Sequence, residues 1–169
     1  MTAPKALWQR NLIGAVVVGA ALALLAVTTL WPSWRIYQAT VRPQYVVPVR
    51  QTGFAHGQEW SVGGIRRLTA VPAPPATPLP AGTVLEVVTV QRSGTAVGIS
   101  GCMSVLTDGE RRWRGEPLSR YAIPAAAAAD FRCTKPGPLQ WAFLLPADAA
   151  PTALDVTTLD GQILVRLQL

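Results

Sequence analysis

Residues 83–91 read TVLEVVTVQ, and this stretch decides the fold class. Six of the nine side chains are β-branched, a composition that suits a pleated surface rather than a helix. Pro80-Ala-Gly82 opens the stretch with a turn signal. Apolar side chains fall on both faces, which places the strand centrally in its sheet.

The residues after this strand repeat the signal. Residues 98–107, holding Cys102, form the next strand and end at Asp108-Gly109. Asp-Gly between two strand-like runs predicts a type I′ hairpin, with Trp113 on the returning strand. The alanine run at residues 125–129, with a proline ahead of it, reads as a short helix in a crossover. LQWAFLL at 139–145 is a strand closed by Pro146, and 153–159 and 162–169 flank a second turn, Asp160-Gly161. In the last strand Ile163, Val165, Leu167 and Leu169 alternate with Leu164, Arg166 and Gln168, giving one buried and one wetter face.

In the N-terminal direction, residues 71–80 contain five prolines and form a loop, part of it polyproline II. Residues 52–68 place Phe54, Trp60, Val62 and Ile65 among four glycines. Glycine this dense costs a helix about 1 kcal/mol per residue, so the segment is one strand or a bent pair. Six to eight short strands with regular turn signals make an antiparallel β-sandwich over 52–169.

Residues 35–51, with Pro43 and Pro48, read as an extended stalk in which Tyr45-Val-Val already begins to pair. Before it, the run from Asn11 through Trp34 carries no charge. Its centre, LIGAVVVGAALALLAVTTL at 12–30, makes roughly 28 Å of helix at 1.5 Å per residue, about one hydrocarbon thickness. The run is apolar all round, Trp8, Trp31 and Trp34 flank it at headgroup level, and Pro32 ends it. The expected organisation is a cytoplasmic tail at 1–10, a single-pass signal anchor at 11–34, the stalk and the outer sandwich. A cleaved signal peptide is the competing reading, with a poor site at Ala26-Val-Thr28. No cysteine follows the core, so a lipidated anchor is excluded. Basic residues flank both ends of the span and leave its orientation undecided. A short tail and a cysteine pair favour an extracytoplasmic C-terminal domain at the cell membrane.

Ala15, Gly19 and Ala23 form a small-residue stripe on this helix. It permits close helix packing, although alanine and glycine are common enough here to fall in register by chance.

Net charge is +6, and thirteen of the fifteen basic residues are arginine. Abundant Ala, Gly, Pro and Arg match a GC-rich bacterial genome. Beyond the tail the balance is 13 basic against 9 acidic residues, so the expectation is a headgroup, wall-polymer or protein partner, not nucleic acid. Cys102 and Cys133, 31 residues apart, are the only cysteines; a disulfide worth roughly 3–4 kcal/mol competes with two buried thiols. Two cysteines and one histidine, His56, do not make a structural zinc site, so no metal and no cofactor are expected.

Three motifs carry a resemblance. Leu79-Pro80-x-Gly82 opens the central strand, and Leu106-Thr-Asp108-Gly109 precedes Trp113. Trp141-Ala-Phe143-Leu-Leu-Pro146-Ala-Asp148-Ala149 then precedes Leu154-x-Val156. Over about residues 52–169 the sequence resembles DUF4352-type domains. The resemblance implies an immunoglobulin-like sandwich in a secreted or membrane-anchored bacterial protein, with a binding role and no catalytic residues. A helical anchor and a private cysteine pair depart from the commoner pattern.

No nucleophile elbow, dinucleotide fingerprint or P-loop is present, and His56 has no partner in a recognisable motif. Arg66-Arg67 and Arg111-Arg112-Trp113-Arg114 are the densest positive patches, in residue types enriched at binding hot spots. The plainer reading, favoured here, makes Trp113 a core residue and the arginines guards of an edge strand. The function expected is a non-catalytic binding or assembly module of a bacterial envelope, meeting another envelope protein. A binder of a small ligand or anionic wall polymer is the alternative, and an envelope enzyme is the weakest.

Overall fold

The computed structural model describes residues 5–71, 79–94, 99, 101–133 and 137–169. The protein divides into two units, Met1–Ala39 and Thr40–Leu169.

The first unit is helical: α1 (Lys5–Leu25), a π-helical turn (Ala26–Leu30) and α2 (Trp31–Val41). Asn11–Val41 is long and apolar enough to cross a membrane, and its side chains are almost all exposed. The helix does not stop at Pro32. Proline lacks an N–H and crowds the carbonyl four residues back. The π turn relieves this: the Trp31 N–H reaches back to the Ala26 carbonyl. Thr28 Oγ1 donates to the Leu24 carbonyl at 2.7 Å and Ser33 Oγ to the Thr29 carbonyl at 2.9 Å. Hydroxyls and a local π turn are how apolar helices carry proline. As a correction to the expected stalk, residues 35–41 therefore continue the helix. Ala15, Gly19 and Ala23 lie on its exposed surface, and a Cβ at Gly19 would meet nothing within 4 Å.

The second unit is a β-sandwich. Its strands are β1 (Val46–Val47), β2 (Gly53–Ala55), β3 (Gln58–Leu68), β4 (Thr83–Gly94), β5 (Met103–Thr107), β6 (Arg112–Arg114), β7 (Leu139–Pro146), β8 (Ala153–Thr157) and β9 (Ile163–Gln168). One sheet runs β1-β9-β8-β5-β6 and the other β2-β3-β4-β7. All strand pairs are antiparallel except β1 with β9, which is parallel. The strand at 83–91 lies centrally, between β3 and β7.

Alternation along β4 divides two cores. Val84, Val88 and Val90 face the other sheet and join Trp60, Trp141, Phe143, Leu106, Leu154, Val156 and Leu167 in the main core. Leu85 and Val87 face outward, yet they are buried with Leu118, Ile123 and Ala142. The β6–β7 connection supplies this cover through a 3₁₀ helix at Leu118–Tyr121. At about 25 cal/mol per Å², each fully buried large side chain contributes roughly 1.5–3 kcal/mol.

Two local expectations need correction. Residues 125–129 form no helix: Ala128 sits at φ 61° and the Ala126 N–H is taken by Gln140 Oε1 at 2.7 Å. Asp108-Gly109 is not a two-residue turn, because Thr107 pairs with Arg112 across a four-residue loop. Only Gly109 there has positive φ; Asp108 Oδ1 instead accepts the Glu110 and Arg111 N–H groups at 3.0 and 2.6 Å. The tight turn lies elsewhere, at His56-Gly57, with φ of 51° and 73° between paired Ala55 and Gln58.

Glu86 also sits on the core face of β4 and is 5% exposed. Burial holds its carboxyl above the ordinary 4.5, with Arg67 partly opposing the shift. The folded protein thus holds this proton more tightly than the unfolded one. Stability is highest below about pH 4.5 from this group and falls as pH rises through the elevated value. Glu86→Gln is expected to remove that fall, gaining about 1 kcal/mol at pH 7, or several degrees in Tm, and nothing at pH 4. Thermal melts of both proteins across this range check it.

Candidate functional site

The arginines singled out in the sequence reach several different partners. Arg67 lies on β3 and donates from Nη2 to the carbonyls of Ala147, at 2.7 Å, and Ala149, at 3.4 Å. Arg111, from the opposite sheet, pairs with Asp108 at 2.8 Å and with Asp148 at 3.4 Å. The turn after β7 is thereby held from both sides. Hydrogen bonds from Arg111, backbone first and then side chain, keep the Asp108 carboxyl below its ordinary range. The Arg111 guanidinium lies 5.3 Å from the Trp113 ring centre, and Trp113 is half-buried against the main core. β6, which carries Arg112, Trp113 and Arg114, is the edge of its sheet.

Arg112 reaches the Asp155 carboxylate at 3.5 Å. Asp155 is fully buried on β8, and its register partner on β9, Arg166, grips it with two bonds of 2.6 and 2.8 Å. That hydrogen bonding raises the Arg166 pKa. Arg66 is exposed and makes no ion pair among the described residues.

Cys102 and Cys133 form a disulfide, with Cα atoms 5.2 Å apart, joining the lead-in of β5 to the β6–β7 connection. Buried Arg92 donates from Nη1 to the Cys133 carbonyl at 3.1 Å and lies 5.7 Å from the Trp60 ring centre. His56 stacks edge-on with Tyr45 at 5.2 Å. Among the described residues no three His, Cys, Asp or Glu side chains come together as a metal site.

Beside the disulfide lies a cleft of about 400 Å³. Cys102 and buried Trp141 line it, together with Phe131 and Leu159, which are 37% and 66% exposed. Arg114 and Arg132 complete the wall, and no acidic side chain lines it among the described residues. Trp141 Nε1 donates to the Phe131 carbonyl at 3.0 Å, fixing the segment that carries Arg132. Gly115 borders the cleft, and a side chain there would strike Ser104 Oγ and the Phe143 ring. Arg114 belonged to the expected patch; Phe131, Arg132, Trp141 and Leu159 did not. The signal that marks Arg132 in the sequence is its place next to Cys133.

At the end of the 3₁₀ helix, Tyr121 Oη donates to Glu116 at 2.7 Å. Burial, then that bond, pushes the phenol up to about 12. Arg120 also pairs with Glu116, at 2.8 Å.

No family model matches the protein, and no curated protein sequence matches it. Among solved structures, an uncharacterized β-sandwich protein from Clostridium difficile 630 is similar at 10% identity and a TM-score of 0.38. The match covers 76% of this protein and 96% of that one. The likeness to DUF4352-type domains rests on the sequence motifs alone.

Proposed function

We propose that this protein is a membrane-anchored, extracytoplasmic, non-catalytic binding and assembly module of a bacterial cell envelope. The Trp-flanked apolar helix supports the anchor, and the disulfide supports an oxidising compartment. An immunoglobulin-like sandwich is supported by the strand order, and its DUF4352 type by the sequence motifs alone. Sheets β3-β4-β7 and β9-β8-β5-β6 follow the A-B-E and G-F-C-C′ arrangement.

The observation that carries the assembly role is an open sheet edge. β2 pairs only with Gln58–Trp60, so residues 61–68 of β3 have no neighbouring strand on that side among the described residues. The other edges are short or covered. β1 has two residues and β6 three, while β7 exchanges backbone bonds with Glu116 and accepts cover from Asp130. Along the open edge Ile65 is 43% exposed, and Arg66 pairs with no carboxylate among the described residues. A bulge at Val62/Gly64 and the paired arginines discourage self-association of such an edge. The same charges favour an extended segment of another envelope protein bearing acidic residues, added antiparallel to β3.

Photo-reactive side chains at positions 62 and 65 test this in intact cells. Cross-links to one acid-bearing extended segment, abolished by Arg66→Glu, are expected. Equal cross-linking from position 119, on the 3₁₀ helix, sinks the reading.

A further inference from the structure

We propose that the cleft beside the disulfide binds a small amphiphilic anion, a carboxylate or phosphate monoester carried on an apolar body. The proposal goes beyond the strand-edge reading and does not depend on it.

The chemistry of the wall divides in two. Trp141, Phe131, Leu159 and Cys102 present an apolar surface, and Phe131 and Leu159 remain well exposed. Exposed Phe and Leu facing the same concavity carry a hydration cost that an apolar ligand body removes. Arg114 and Arg132 supply the opposite character. The only hydrogen-bond acceptor on the Arg114 side chain among the described residues is Met103 Sδ at 2.9 Å, and a thioether is a weak acceptor. Arg132 lies over the Phe131 ring at 4.8 Å and makes no ion pair among the described residues, so its N–H fork is open to an acid.

Neighbouring carboxylates are already engaged. Glu116 is held by Arg120 and Tyr121, Asp155 by Arg166 and Arg112, and Asp130 Oδ1 accepts the Phe131 N–H at 2.7 Å. Two guanidinium forks without a lining acid select an anion, and the fork geometry matches carboxylate and phosphate oxygens. A volume of about 400 Å³ lies within the range of roughly 300–1,000 Å³ typical of small-molecule sites. Rigidity favours recognition as well, because the disulfide and the Trp141–Phe131 bond fix both walls before binding.

The test uses the full-length protein in nanodiscs of zwitterionic lipid, titrated calorimetrically with phenyl phosphate and with hexanoate. Both are expected to bind, while inorganic phosphate and hexanol, each carrying half of the chemistry, bind at least about tenfold more weakly. Arg114→Gln and Arg132→Gln each lower affinity for the two anions by about tenfold or more. Arg66→Gln, on β3 and outside the cleft lining, leaves it unchanged. Adding phosphatidate to the nanodisc separates the sources. Competition with phenyl phosphate identifies a membrane lipid as the ligand class, and its absence identifies a soluble acid. Equal binding of inorganic phosphate and phenyl phosphate overturns the proposal, as does indifference to both arginine substitutions. Failure here leaves the cross-linking at β3 untouched, so the two readings fall separately.

Discussion

Replacing Cys102 and Cys133 together by serine is expected to lower stability by about 3–4 kcal/mol, the loop-closure value for a bridge spanning 31 residues. The effect is large because the bridge closes a long loop in the unfolded chain. Cys102 precedes β5, whereas Cys133 lies in the long connection between β6 and β7, and both are buried in the main core. Arg92 adds to the loss: its bond to the Cys133 carbonyl is geometrically tied to the bridge, and burial already lowers its pKa. Urea unfolding with and without reductant checks the size, and the double variant should be insensitive to reductant. Thiol labelling in intact cells checks the compartment. Label appearing only after denaturation and reduction accords with an outer domain; label under denaturing, non-reducing conditions removes that support.

Arg166→Met is expected to cost about 3 kcal/mol, because it strands the fully buried Asp155 carboxylate. Arg112 remains at 3.5 Å but is half exposed and contributes one contact instead of two aligned bonds. Arg112→Gln should therefore cost less than about 1 kcal/mol. The informative variant is the double exchange Asp155→Leu with Arg166→Met. Removing both charges restores most of the lost stability, since a buried ion pair is often matched by apolar side chains of similar volume. Urea midpoints at constant slope measure all three, and a double variant as unstable as Arg166→Met contradicts the account.

How the sequence and the fold divide this information follows from the range of the forces involved. Strand identity in residues 83–91 was legible because β-branching and the turn signal at Pro80-Ala-Gly82 are local properties of neighbouring residues. The apolar helix was legible for the same reason, as hydropathy sums over consecutive residues. Its end was not. Pro32 is a stop signal in isolation, but a π turn and the hydroxyls of Thr28 and Ser33 re-supply the ladder around it. Loop chemistry misled twice for a related reason. Asp108 accepts backbone N–H groups with its side chain, and Ala126 gives its N–H to Gln140, fourteen residues away.

By itself the sequence determined the fold class, the apolar span and the available cysteine pair. Each depends on residue type and short-range period alone. Only the tertiary structure decided which arginines are paired and which have no carboxylate partner among the described residues. Arg67, Arg111 and Arg112 find their acceptors across turns and neighbouring strands. Arg66 lies on the uncovered part of β3, and Arg114 lines a cleft with Arg132, eighteen residues further along the sequence. Charge availability is a property of distance in space, and a linear pattern of arginines does not contain that distance.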